Sequence, residues 1–247
     1  SMTFYNYEMI NRSTQTLTNT YFAVYLDCDI GCSFDDYVGC DVQRGLGYCY
    51  NADAVDNDGC GSWANPIGEY PPAVGVDFFE GPYQDNDGLD NPLTTDISLA
   101  KANLGIPYQG LGIGYGDGTI DNERYGMKRF TYFDRTLPGN IYGDPGIAIE
   151  FYNYMRGKWK DNTPFVYGGT GNSSDANATT ILTNYCFPGD SDPFNWATEG
   201  TDPGFLWSEQ YPTGLGSTAN PKGDRRFVQA AGPFTLEPGA LNNITFG

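Results

Sequence analysis

Residues 20–26 read TYFAVYL, a run of aromatic and β-branched residues that ends at an acidic, glycine-containing segment. Such side chains favour the pleated, half-buried surface of a β-strand. Similar runs occur at 73–79, 127–133, 227–234 and 240–246, and the chain has 33 Gly and 16 Pro residues to form turns between strands. The sequence therefore predicts a mostly β protein, a β-sandwich of jelly-roll type with long Asp/Gly-rich loops.

One helix is predicted between Asp144 and Gly157. Asp144 suits the N-cap, Pro145 suits the first turn, and Gly157 suits the position just after the last turn. The predicted apolar face of this helix consists of Ile147, Phe151, Tyr154 and Met155. A single apolar face predicts a helix that packs against one side of a sheet.

The length of 247 residues and the mass of 27.1 kDa suit one β-rich domain over residues 1–247. Residues 81–126 are rich in Asp, Asn and Gly and form a candidate loop-rich subdomain. The opening pair Ser1 and Met2 is typical of a cloning remnant, which predicts that the chain is an excised part of a longer protein.

The charge is strongly unbalanced, with 31 acidic against 13 basic residues and a net charge of −18. A surface of this sign disfavours nucleic acid and anionic membranes as partners. No stretch approaches the roughly 20 apolar residues that a membrane-spanning helix needs. A compact domain with this charge is strained by self-repulsion unless cations neutralise part of it.

Many of the acids fall into three groups that resemble parts of calcium loops. They are Asp27, Asp29, Asp35, Asp36 and Asp41; Asp85, Asp87 and Asp90; and Asp117, Asp121 and Glu123. Calcium takes six to eight oxygen ligands from carboxylates, carbonyls and waters. One Asp/Gly loop is usually an ordinary turn, but three groups in one chain predict at least one bound calcium that orders the loops.

Six cysteines are present, and five of them fall within residues 28–60. They are Cys28, Cys32, Cys40, Cys49, Cys60 and Cys186. An even number suggests disulfides in an oxidising compartment, with 15 connectivities open. Zinc is the alternative, but the Cys28–Cys32 spacing is unusual for a zinc site and the chain has no His.

The absence of His also excludes Ser-His-Asp and Cys-His catalytic systems. A carboxylate-based glycoside hydrolase remains, with Glu80 and Glu150 as candidates. Glycan binding is a further alternative, because aromatic rings in polar loops offer flat apolar faces to a sugar. The candidate ligand-binding rings are Trp159, Trp196, Trp207 and Tyr211.

Four segments carry a resemblance to a known module. They read DDYVGCD with LGYCYN (35–41 and 46–51), PPAVGVDFFEGP (71–82), DGTIDNERYGM (117–127), and GDRRF with GPFTLEPG (223–227 and 232–239). The chain is similar to an uncharacterised module of large secreted proteins of Bacteroidetes type, in which it often precedes a type IX secretion sorting domain. The resemblance implies export and an extracellular or cell-surface location, and it implies no particular activity.

These observations predict a non-catalytic, calcium-stabilised module with a structural or adhesive role in a secreted or cell-surface bacterial protein. The expected partners are other domains of the parent protein, and protein or glycan ligands. A glycan-binding module linked to polysaccharide use and a carboxylate-based glycoside hydrolase are the two alternatives.

Overall fold

The computed structural model describes residues 2–57, 60, 66–83, 96 and 124–247. It contains ten strands and one α-helix in these ranges. They are β1 (Tyr5–Ile10), β2 (Leu17–Asp27), β3 (Asp36–Asp41), β4 (Leu46–Asn51), β5 (Val55–Asp56), β6 (Gly68–Glu69), β7 (Val74–Glu80), β8 (Arg129–Asp134), α1 (Ala148–Met155), β9 (Arg225–Leu236) and β10 (Leu241–Phe246). Most of the predicted subdomain at 81–126 lies outside the described residues.

The strands form two main antiparallel sheets and one two-stranded ribbon. The larger sheet has the order β1-β10-β7-β4-β3, the smaller has the order β2-β9-β8, and β5 pairs with β6. Phe22 of β2 contacts Phe78 of β7 and Phe246 of β10, at ring-centroid distances of 6.1 and 6.0 Å. The two sheets therefore face each other across a shared apolar layer, and the predicted β-sandwich-like fold is confirmed.

The sheets approach each other closely at Gly47 of β4. A Cβ atom at this position would lie 2.7 Å from Phe227 and 2.8 Å from Phe130, both on the opposing sheet. No side chain can fit there without moving those rings. The sandwich thus requires glycine at residue 47.

The first acidic group, Asp27 to Asp41, was predicted to be part of a calcium loop, but its second half forms strand β3. Residues 33–35 form a short 3-10 turn, and residues 36–41 form a strand whose first five residues are buried. Asp and Gly have low intrinsic preference for strands, so the sequence DYVGCD does not resemble one. Pairing with β4 and burial within the fold override this local preference.

Helix α1 begins later than predicted. Its N-cap is Ile147 rather than Asp144, and no side chain caps it. Asp144 instead contacts Arg226 at 3.1 Å. Ile147 and Phe151 are exposed, whereas Tyr154 is fully buried, so the predicted apolar face is only partly correct. Gly157 follows the last turn, as predicted, and its φ of +74° is left-handed.

Residues 157–224, between α1 and β9, form turns and isolated bridges that close one side of the sandwich. The amide of Cys40 in β3 donates to the carbonyl of Phe187 at 3.3 Å, and the amide of Cys186 donates to the carbonyl of Phe130 in β8 at 3.0 Å. This segment therefore covers one edge of each sheet, β3 of the larger sheet and β8 of the smaller. In the described part of the chain, no helix has the length and apolar character required to cross a membrane.

Candidate metal centre

Three carboxylates meet where β2 ends and β9 begins. Asp27 is the last residue of β2, Asp29 follows in the next loop, and Asp224 immediately precedes β9. Each offers one oxygen, and these oxygens all lie within 4.8 Å of one another. The antiparallel pairing of Asp27 with Arg226 brings the two chain segments together. We call Asp27, Asp29 and Asp224 the acidic triad.

Asp224 is the buried member of the acidic triad. Only 3% of the residue is exposed, and its Oδ1 atom accepts no hydrogen bond from the described residues. Burial raises the pKa of Asp224 to about 6, against the lowering effect of Arg226, and the charges of Asp29 and Asp27 raise it further. The pKa of Asp29 is raised by partial burial and by the charge of Asp27.

Two arginines compensate only part of this charge. Arg226 lies 2.9 Å from Asp27 and 3.7 Å from Asp224, but it is also shared with Asp144. Arg135 approaches Asp224 at 3.8 Å from an exposed position. These two arginines face four carboxylates, the three of the triad and Asp144, so negative charge remains in excess.

This set of donors suits calcium. The acidic triad supplies only carboxylate oxygens, which are hard ligands, and two of its members are exposed and leave room for water. The buried Oδ1 of Asp224 accepts no hydrogen bond from the described residues and has Arg226 at 3.7 Å, so a bound cation would give it a closer partner. No thiolate or imidazole, which would favour zinc, belongs to the triad.

A second set of acids is fully buried nearby. Asp36 accepts a hydrogen bond at Oδ2 from the amide of Ile30 at 3.1 Å, while its Oδ1 has no hydrogen-bond partner among the described residues. Burial raises the pKa of Asp36 to about 7, and the charges of Asp35, Asp29 and Asp56 add to this effect. A cation bound at Asp29 would therefore also favour the charged form of Asp36.

The remaining predicted ligands are placed differently. Asp35 is fully buried and accepts a hydrogen bond from the amide of Asn57 at 3.3 Å. Asp41, at the end of β3, forms an ion pair with Arg44 at 2.6 Å. Six predicted ligands lie outside the described residues, namely Asp85, Asp87, Asp90, Asp117, Asp121 and Glu123.

Two disulfides are present among the described residues, and they confirm the expected disulfide chemistry. One joins Cys28 to Cys49 and the other joins Cys32 to Cys60. Cys28 lies between two triad members, so its disulfide anchors the Asp27–Asp29 loop to β4. Asp56 lies close to the sulfurs of Cys32 and Cys60, but the disulfide removes the thiolates that a zinc site would need. Cys40 and Cys186 are buried free thiols.

The prediction that the three tryptophans are exposed in loops is wrong. Trp159 and Trp207 are fully buried, and Trp196 is 2% exposed. The indole nitrogen of Trp159 donates to the carbonyl of Gly171 at 2.9 Å, and that of Trp207 donates to the carbonyl of Gly169 at 3.0 Å. The three tryptophans are the part of the segment 157–224 that packs into the hydrophobic core, and they have no free face for a sugar. Tyr211 is 39% exposed.

The candidate catalytic glutamates have local structural contacts. Glu80 is exposed at the end of β7 and accepts a hydrogen bond from Thr245 at 3.1 Å. Glu150 accepts a hydrogen bond from the amide of Gly146 at 2.6 Å, in the first turn of α1. Glu209, which the sequence did not single out, is fully buried and paired with Arg225 at 2.9 Å.

Asp224 was also missed by reasoning from the sequence. It stands alone before two arginines, and an isolated acid is not a metal-binding pattern. The signal that could have found it is strand pairing. If the predicted strands at 20–26 and 227–234 are taken as antiparallel partners, the residues after the first lie beside the residues before the second.

Comparison of the chain with protein-family models, with curated proteins and with solved structures gives no match.

Proposed function

We propose that this protein is a non-catalytic, calcium-stabilised module with a structural or adhesive role in an extracellular or cell-surface protein. The observation that carries the proposal is the acidic triad, in which Asp224 is buried with an oxygen that accepts no hydrogen bond from the described residues. A bound calcium ion would neutralise the excess charge and hold the β2 end, the following loop and the β9 start together.

The extracellular location is supported by the two disulfides, which persist in oxidising compartments. The net charge of −18 suits a protein that works in a calcium-rich medium, because divalent cations reduce self-repulsion. A role in a larger protein makes its other domains the first expected partners, with protein or glycan ligands beyond them.

The test is thermal unfolding under non-reducing conditions, with excess calcium and with a chelator. A ligand that binds only the folded state stabilises it by about 2.7 kcal/mol at a hundredfold excess over Kd. We expect calcium to raise Tm and magnesium to raise it less, since magnesium demands stricter geometry and dehydrates reluctantly. Elemental analysis of the purified protein should find calcium.

Two variants assign the effect to the acidic triad. Asp29→Asn removes one charge, and Asn tolerates the positive φ of 28° found there. The matched control is Asp202→Asn, because Asp202 is exposed and, among the described residues, its side chain accepts one hydrogen bond, from the amide of Gly204 at 2.8 Å, which Asn can keep. The calcium shift should shrink in Asp29→Asn and persist in Asp202→Asn. An equal shift in both variants, or none in the wild type, would refute the proposal.

A further inference from the structure

A groove on the outer face of the larger sheet is distinct from the acidic triad. It lies between β4 and residues 189–215, and its volume is about 480 Å³. This volume falls in the range of small-molecule sites, which is about 300–1,000 Å³. Gly47 and Cys49 of β4 are buried and face the interior of the sandwich. Side chains alternate between the two faces of a strand, so those of Tyr48 and Tyr50 point outward into the groove.

Three tyrosines line the groove. Tyr48 and Tyr50 lie two residues apart on β4 with ring centroids 5.9 Å apart, and Tyr211 faces them from the covering segment. Leu215, at the rim, is 88% exposed. Aromatic rings that remain accessible at a groove offer apolar faces on which a planar or ring-shaped ligand stacks.

Polar side chains complete the lining of the groove. Asp190 and Gln210 make no side-chain hydrogen bond with the described residues, and both line the groove. Ser208 is available as a further donor and acceptor, although it already accepts from the amide of Tyr211 at 3.1 Å. A carboxylate, an amide and a hydroxyl together can both donate and accept hydrogen bonds, as the hydroxyl groups of a sugar require.

We propose that this groove binds a neutral polysaccharide, with the tyrosine rings stacking on sugar faces and Asp190 and Gln210 binding sugar hydroxyls. The occupant is a neutral chain because Asp190 and the net charge of −18 repel uronic-acid and sulfated glycans. The site is independent of the acidic triad, so a failure of calcium binding leaves the glycan proposal in place.

The test is affinity electrophoresis in calcium-containing gels that hold one polysaccharide each. Laminarin, xyloglucan, arabinoxylan and galactomannan are the neutral probes, and polygalacturonate and alginate are the anionic ones. We expect at least one neutral probe to retard the protein and neither anionic probe to do so. Tyr211→Ala should raise the dissociation constant by roughly tenfold or more, through the loss of one stacked ring.

Gln210→Ala is a second variant that leaves the rings in place, and its dissociation constant should rise as well. Tyr5→Ala is the control, because Tyr5 is 49% exposed and lies outside the groove; its dissociation constant should be unchanged. Thermal unfolding of each variant shows that it is folded. Retardation by no neutral probe, retardation unaffected by Tyr211→Ala, or binding of an apolar peptide library in place of every polysaccharide would overturn the proposal.

Discussion

Strand β9 begins between two acidic regions that balance their charge in different ways. At Arg225, two buried acids share one buried base. Arg225 donates to Glu209 at 2.9 Å and also to Asp134, and all three residues are at most 5% exposed. At the acidic triad, one residue away, the arginines are shared or exposed and the pKa of Asp224 is about 6. In the first region each buried carboxylate has an ion pair with Arg225, whereas in the second the buried Oδ1 of Asp224 accepts no hydrogen bond from the described residues.

The two regions differ in the groups that surround their buried carboxylates. Although burial alone would lower it, the pKa of Arg225 is raised by the charge of Glu209 and by the hydrogen bonds between them. Glu209 also accepts the amide of Val38 in β3 at 3.0 Å, so the pair joins both sheets to the covering segment. The charge of Arg225 is permanent, so this link between the sheets persists in any medium. A cation bound at the acidic triad would instead make stability depend on its concentration in the medium.

The largest expected effect comes from removing the base. Arg225→Met leaves Glu209 and Asp134 buried without compensation, and we expect a loss of about 3–5 kcal/mol in the free energy of unfolding. Denaturant titration in calcium and in chelator measures it. Arg44→Met is the control, because the Arg44 side chain is 70% exposed and its pair with Asp41 should contribute less than about 1 kcal/mol. If calcium restored the stability of Arg225→Met, the two regions would not be independent.

Removing the disulfide beside the acidic triad should have the next largest effect. The double variant Cys28→Ser/Cys49→Ser opens a link between residues 21 apart, and the expected loss is about 3 kcal/mol. Because Cys28 lies between Asp27 and Asp29, calcium affinity should fall as well.

The matched control for that variant is Cys32→Ser/Cys60→Ser. It opens a link between residues 28 apart but leaves the Asp27–Asp29 loop attached to β4. Its stability loss should be similar and its calcium affinity should change less. Calorimetric titration of both variants checks this, and equal affinity losses would contradict the idea that the first disulfide shapes the site.

A smaller effect concerns Asp77 of β7, which belongs to neither region. Burial raises its pKa to about 6, and the charge of Asp41 adds to this, so the folded state favours the protonated form. The stability of the wild type should therefore fall as pH rises from about 4 to 6. Asp77→Asn should match the wild type at pH 4 and exceed it above pH 6 by about 1–2 kcal/mol, after discounting for solvent screening.

Asp53→Asn should change stability in the direction opposite to Asp77→Asn. The pKa of Asp53 is lowered, chiefly by a hydrogen bond from Lys222, so its charged form stabilises the folded protein. The variant should be slightly less stable than the wild type above pH 4. Unfolding curves at a series of pH values separate the two signs, and a constant advantage of Asp77→Asn at every pH would show that its effect is not electrostatic.

The long apolar runs made most of the fold predictable. Residues 20–26 and 227–234 lie within β2 and β9, because aromatic and β-branched residues suit a strand in almost any context. Strand β3 could not be predicted, since Asp36 to Asp41 become a strand only through pairing with β4 and burial under residues 157–224. Local preference carries no information about that cover.

The candidate sites were predictable only in part, for the same reason. Asp27 and Asp29 were found because they form a local pattern, whereas Asp224 joins them through strand pairing across nearly 200 residues of chain. Of the four predicted ligand-binding rings, only Tyr211 lies at a groove. Tyr48 and Tyr50 were missed because the sequence does not show which face of β4 is buried. In the structure Gly47 and Cys49 face the interior, so the two tyrosines face outward.

The pairing of β1 with β10 also determines how the fold responds to mechanical force. Tyr5 lies opposite Phe246 and Ile10 lies opposite Leu241, so the start of one strand is beside the end of the other. A pulling force applied between Tyr5 and Phe246 would act on one pair of hydrogen bonds at a time and peel β1 from β10. The same strands pulled from opposite ends would share the load along their length. In a tethered chain, this pair of strands would be the first part of the sandwich to yield.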